Sequence, residues 1–303
     1  MTDVALAAGE ARARHRLGLV MVTASAIFWS SGGFFTRLIT LDLWTMLAWR
    51  GLFGGLFILL FMIWDAKSQK RRLFRPMGWP GLIVTMLNTG GMMAFVGSLR
   101  LTAVADVTVI YATLPFMTAP IVWLWFKERP SVRTLLAGVV AVGGVAIMVG
   151  GASRGSDSSL AGCTLAFLMT MTMAVTTSIT RRYPGVPMIQ AAGLSCFIGS
   201  AICFTMAGPV DAITPVDFVN LALFGLFNMG LGLALYMMGA KYIPAAEAAL
   251  LSILETPLAP LWVWIFFAEV PRDATLWGGA VVLAAVLWQI LGDAQRSRAR
   301  GGS

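Results

Sequence analysis

The stretch Lys241–Pro271 reads KYIPAAEAALLSILETPLAPLWVWIFFAEVP, and it decides the fold because the chain carries it twice. Arg100–Pro130, RLTAVADVTVIYATLPFMTAPIVWLWFKERP, aligns with it without a gap. Arg100 falls on Lys241, Ala105 on Ala246, Asp106 on Glu247, Trp123 on Trp264, Phe126 on Phe267, Glu128 on Glu269 and Pro130 on Pro271. The match runs on through Gly138 on Gly279 and Val145 on Val286. A long ungapped echo marks an internal repeat. The copies part at one chemically loud position: Glu255 in the second stands where Leu114 stands in the first.

Both copies sit in an unusually apolar chain. Of 303 residues, 12% are charged, against about 25% in soluble domains, and the mean hydropathy is +0.81. Apolar runs of about 20 residues recur from end to end, the length a helix needs to cross a bilayer. They do not alternate, which excludes an outer-membrane barrel. The net charge of +8 sits in short loops between the runs, where it sets topology; no nucleic-acid partner is expected. Cys163, Cys196 and Cys203 lie inside apolar runs without CxxC spacing, so they read as packing residues and not as a disulfide or metal site.

Ten spans follow: 17–39, 43–64, 77–98, 103–126, 132–150, 160–180, 187–207, 215–239, 245–267 and 274–291. Arg12, Arg14 and Arg16 before an apolar start, with Ala24-Ser25-Ala26, imitate a signal peptide, but the run continues to Ile39 and reads as an uncleaved span. The organisation is a basic tail over 1–16, a first five-helix repeat over 17–150, a Gly/Ser-rich linker over 151–159, a second repeat over 160–292 and a tail over 293–303. Five is odd, so the second copy enters the membrane from the opposite face. The expected fold is therefore an all-α membrane protein of ten transmembrane helices, two inverted five-helix repeats around a central cavity.

Charge tests this independently. With both termini in the cytoplasm, the inside segments hold seventeen Lys and Arg residues (the two tails, Lys67–Arg75, Lys127–Arg133, Arg181-Arg182 and Lys241). The outside loops hold four: Arg37, Arg100, Arg154 and Arg272. That bias puts both ends of the chain in the cytoplasm.

An ionised group at mid-membrane is costly and functional by default. Glu255 is such a group: a substrate-amine or proton site in one reading, a packing carboxylate with a basic or hydroxyl partner in the other. Pro257 and Pro260 loosen the helix after it. Arg50, about two turns inside span 2, can hold a substrate carboxylate, snorkel to the interface or bind helices together through carbonyls. Ser30, Asn88, Tyr111, Asn228, Tyr236 and Ser252 are polar positions within spans, each able to serve as interhelical glue. With Trp29, Trp123 and Trp264 they can together line a pocket for an amphipathic solute. Trp44, Trp64, Trp79 and Trp277 read as an aromatic belt. Gly51 and Gly55, Gly143-Gly144 and Gly278-Gly279 read as close-packing sites. No GxxxxGK[ST] and no HExxH is present, and the single histidine, His15, is in the tail. No cofactor, no metal and no catalytic constellation is expected.

Taken together, Phe28-Trp29-Ser30, Arg50, Leu114-Pro115 with Glu128 and Gly138, and Lys241-Tyr242, Glu255-Thr256-Pro257, Glu269 and Gly279 resemble the drug/metabolite transporter superfamily, specifically its EamA-type ten-helix members. In general character the chain is most similar to inner-membrane amino-acid exporters of the YddG type, and that resemblance implies a place in the cell inner membrane. The resemblance implies alternating access and export of small metabolites, with the bilayer and a small-molecule substrate as partners. It leaves proton coupling open. The expected function is secondary export of aromatic and other neutral amino acids or related metabolites. A broad exporter of drugs or aromatic cations, and a structural or sensory membrane protein without flux, stand as alternatives.

Overall fold

The computed structural model describes residues 2–70, 72–127, 130–152, 159–209 and 213–301. Arg71, Glu128, Arg129, Arg154 and the linker over 153–158 lie outside the described residues. Within them the chain is helical and has no strand. Without water, backbone polar groups must be satisfied within the segment, and helices do that.

The helices are α1 (Thr2–Ser30), α2 (Gly32–Leu38), α3 (Leu43–Ser68), α4 (Gly78–Leu101), α5 (Val104–Tyr111), α6 (Leu114–Phe126), α7 (Val132–Ala152), α8 (Leu160–Arg182), α9 (Met188–Phe204), α10 (Pro215–Phe224), α11 (Gly232–Gly239), α12 (Ala245–Ser252), α13 (Glu255–Phe267) and α14 (Asp273–Gly301). A π-helical segment, Gly225–Leu231, joins α10 to α11. Nine described stretches are long and apolar enough to cross a membrane; α9 is a shorter tenth.

Three features differ from the sequence expectation. The tails are not coil: α1 reaches back to Thr2 and α14 runs out to Gly301, because Ala, Glu, Arg and Gln are strong helix formers and no proline interrupts them. The fourth and ninth spans are not continuous. Each breaks after two turns, at Ala112-Thr113 and at Ile253-Leu254. The eighth span carries the π-helical segment in its middle.

The two breaks are in repeat register. Val104–Tyr111 answers Ala245–Ser252, and Leu114–Phe126 answers Glu255–Phe267. Even the helix ends agree: Lys127 and Ala268 both adopt the left-handed conformation, at φ 59° and 55°. Pro115 and Pro120 follow the first break, Pro257 and Pro260 the second. These prolines are not in register with one another, so the broken geometry is shared more closely than the residues that loosen it.

Connections gather into two sets. Asp42 and Thr45 meet Gly208, Arg100 meets Ile39 and Leu41, and Ser159 meets Leu101. This is the far face. Arg75 meets Gln190, Trp79 meets Tyr183, and His15 meets Glu247. This is the terminal face, from which α1 and α14 carry the chain ends.

Packing relies on small residues, as it does where lipid removes the hydrophobic drive between helices. A Cβ on Gly144 would stand 2.7 Å from the Gly278 carbonyl oxygen, so α7 and α14 touch backbone to backbone. Gly51 and Gly55 seat α3 against Cys196 and Phe197 of α9. Gly143 is different from the expectation: nothing lies near it. It points off the α7–α14 contact, one residue round from Gly144. Exposed apolar residues such as Val132, Val139 and Trp277 cover the outside of the bundle.

Candidate functional site

Breaking a helix inside a bundle exposes backbone ends that carry partial charge. Tyr111 is the last residue of α5, and Glu255 is the first of α13. The two half-helices pack together, and the Tyr111 phenol lies within electrostatic reach of both Glu255 and Tyr236. The Tyr236 ring packs on the Trp29 indole at 5.3 Å between centroids. Gly232 makes this possible, since a Cβ there would meet the Trp29 ring at 2.5 Å. Glu255, Tyr111 and Tyr236 are each partly exposed. Among the described residues the Glu255 carboxylate makes no hydrogen bond and no ion pair. The packing-carboxylate reading required such a partner.

A carboxylate at the first turn of a helix is favoured by the macrodipole. With the Tyr111 phenol in reach, the carboxylate is chemically suited to an ammonium group.

A second polar group lies deeper. Arg50 is fully buried in α3. Its Nη2 donates to Asn228 Oδ1 at 2.6 Å, and its guanidinium lies 4.5 Å above the Phe224 ring. Asn228 sits on the π-helical segment and donates from Nδ2 to the Trp29 carbonyl at 3.0 Å. One asparagine of the second copy thus holds both α3 and α1 of the first. Arg50 Nε and Nη1 have no hydrogen-bond partner. Full burial rules out snorkelling for Arg50, which needs a head group at the interface.

The remaining candidates separate. Ser30 donates to the Ile27 carbonyl and accepts from Trp262 Nε1 at 2.9 Å. Ser252 donates to the Ala248 carbonyl within its own helix. Asn88 is half-buried in α4, with no hydrogen-bond partner among the described residues. Trp123 and Trp264, expected to line a pocket, are instead 48% and 53% exposed on the outside of the bundle. Their repeat equivalence keeps both on the outer side of their half-helices. Trp262, two residues before Trp264, is the tryptophan that turns inward. Trp64, Trp79 and Trp277 are exposed, whereas Trp44 packs against the core around Leu47 and Phe224. Hollows along Arg12–Val20 and at Arg72–Pro76 hold none of these residues.

A third set was not anticipated. Arg37 donates from Nε to Glu269 Oε2 at 2.7 Å and from its end nitrogens to the Leu99 and Thr102 carbonyls. The other Glu269 oxygen accepts from the Val104 N–H at 3.0 Å, capping α5. Arg272 donates to Asp106 Oδ2 at 2.7 Å, and Thr275 donates to Asp106 Oδ1 at 2.6 Å. The repeat held the signal: Asp106 and Glu269 are acidic in both copies.

Paired broken helices within a duplicated bundle, with a partnerless carboxylate at one break, define a membrane carrier of the inverted-repeat class. Comparison with known proteins agrees. The chain belongs to the EamA-like transporter family, whose model matches residues 16–150 and again 160–291. No curated protein matches the sequence. A solved structure described only as "Crystal structure of protein" is similar over 90% of this chain and 96% of its own, with a TM-score of 0.65 at 16% identity. At that identity the likeness concerns the fold alone.

Proposed function

We propose that the protein is a secondary exporter of amino acids, aromatic and other neutral ones, or of closely related amine-bearing metabolites. The observation that carries this is the Glu255 carboxylate: unpaired among the described residues, at the start of a half-helix, within electrostatic reach of Tyr111, which in turn lies near Tyr236 and, through it, Trp29. The substrate amine would meet Glu255, and its side chain would lie against the rings. The two copies would rock about this point, exposing it to each face in turn. The charge bias between loops supports both ends lying in the cytoplasm, and the family resemblance is what suggests the inner membrane. Transporter membership favours this reading over a structural or sensory protein.

A broad exporter of aromatic cations is the second reading. It is favoured by one observation: the only described arginine in the middle of the bundle, Arg50, is buried against Asn228 and Phe224 and shows no exposed surface for a substrate carboxylate.

Counterflow in proteoliposomes separates the two. Threonine, methionine, phenylalanine and a quaternary ammonium dye are offered to the purified protein. Exchange of the amino acids, with Glu255→Gln lowering it by about 10- to 100-fold as expected for losing a charge-assisted contact, supports the first reading. Exchange of the dye alone replaces it with the second. Flux unchanged in Glu255→Gln across pH would return Glu255 to a packing role.

A further inference from the structure

We propose that the Arg37–Glu269 and Asp106–Arg272 pairs form the far-face gate of the carrier, closed in this structure. The proposal rests on the alternating-access reading above and does not depend on the identity of the substrate.

Both ion pairs, and the bonds of Val104 and Thr275, cross from one copy to the other, while Arg37 also holds the Leu99 and Thr102 carbonyls of its own copy. Arg37, Val104 and Asp106 belong to the first copy; Glu269, Arg272 and Thr275 belong to the second. These contacts join α2 and the start of α5 to the end of α13 and the start of α14 across the far face, so they would have to part for that face to open.

The burial pattern says which side is shut. Along α5, on the far side of the break, Val104–Ile110 are all buried; along α6, on the terminal side, no residue is buried. In the second copy α13, on the far side, buries Thr256, Ala259 and Val263, and described α12 side chains bury only Ala248. Both broken helices are therefore gripped beyond the break and looser before it.

The polar chemistry fits a gate that opens and recloses. Asp106 is wholly buried, yet Arg37, Glu269 and Arg272 are each 24% exposed. Water can reach the outer partners as the pairs separate, which lowers the cost of parting them. At the terminal face the equivalent of Asp106 is Glu247, whose bond to His15 joins side chains 35% and 42% exposed. A pair so exposed contributes little, as a face that is not held shut requires.

Hydrogen exchange of the intact protein in nanodiscs tests this without a substrate. In Arg37→Gln with Glu269→Gln, amides of α5 should exchange about tenfold faster. Those of α12, at the other face, should exchange more slowly, because rocking opens one face by closing the other. Arg37→Cys with Glu269→Cys, bridged by a short bis-methanethiosulfonate, should return α5 to the wild-type rate and lose that protection on reduction. Cys163, Cys196 and Cys203 are buried, so they do not compete. The unmodified protein provides a check that needs no variant: moving from 0.1 M to 1 M salt shortens screening from about 10 Å to about 3 Å, and α5 exchange should rise several-fold. Unchanged α5 exchange, or α5 and α12 accelerating together as for a simple brace, overturns the gate.

Discussion

Asp106 and Glu247 hold the same place in the two copies, the third residue of α5 and of α12, in opposite surroundings. Asp106 is buried at the far face and takes hydrogen bonds from Arg272 and Thr275. Glu247 lies half-exposed at the terminal face against His15. Copying alone would give both the same partners. The difference teaches that positions equivalent in the repeat are not equivalent at the two faces of this structure, as the gate proposed above requires of a conformation closed on one side.

Helix starts follow the same division. At the far face Asp42 caps α3, Ser159 caps α8, and Thr214 with Asp217 forms a capping box on α10. At the terminal face α4, α9 and α12 begin without a side-chain cap. Only Ser131, accepting from the Thr134 N–H, serves α7 there.

The largest expected effect is on Asp106. Asp106→Ala strands Arg272 and Thr275 at a buried site, and thermal unfolding in detergent should show a loss of about 3–5 kcal/mol. A loss under 1 kcal/mol would erase the distinction between the faces. Next comes the contact midway between them: Asn228→Ala removes the one hydrogen-bond acceptor found for the Arg50 guanidinium and should cost about 2–3 kcal/mol. Arg50→Ala, which empties a buried site packed on Phe224, should reduce the yield of folded protein; normal yield with altered flux would instead assign Arg50 to the substrate.

Smaller effects belong to the exposed groups. Glu247→Ala should change stability by at most about 1 kcal/mol, and a value near that of Asp106→Ala would contradict the asymmetry outright. Asp42 gives a pH signature. Burial alone would raise its pKa, but hydrogen bonds from Thr45, Trp44 and Gly208 outweigh it, and the group titrates below its ordinary 3.8. Its contribution is thus complete above the unfolded value and disappears as pH falls through the lower folded one. In Asp42→Asn that acid-sensitive component should vanish, with a stability change of about 0.5–1 kcal/mol at neutral pH, the scale of an exposed cap. An unchanged acid limb would remove Asp42 as its source.

Much of this was legible in the residues. Apolar runs of bilayer length require helices, the ungapped echo gives two copies, and an odd number of passes per copy inverts the second. Glu255 was legible because a carboxylate is conspicuous among leucines and prolines. The direction of a side chain was not: Trp264 and Trp262 look alike in the sequence, and only the bundle turns one outward and the other onto Ser30. The breaks were half-legible, since prolines announce weakness but not the place where the chain unwinds.

What the sequence by itself determined is whatever each segment settles against lipid alone: its helicity, its length, its copy number and the sign of its loops. Tertiary structure decided what depends on two segments meeting: which carboxylate is engaged and which has no partner among the described residues. The reason is that solvation by a bilayer acts on one stretch at a time, whereas an ion pair such as Arg37 with Glu269 exists only once helices distant in the chain have been brought together.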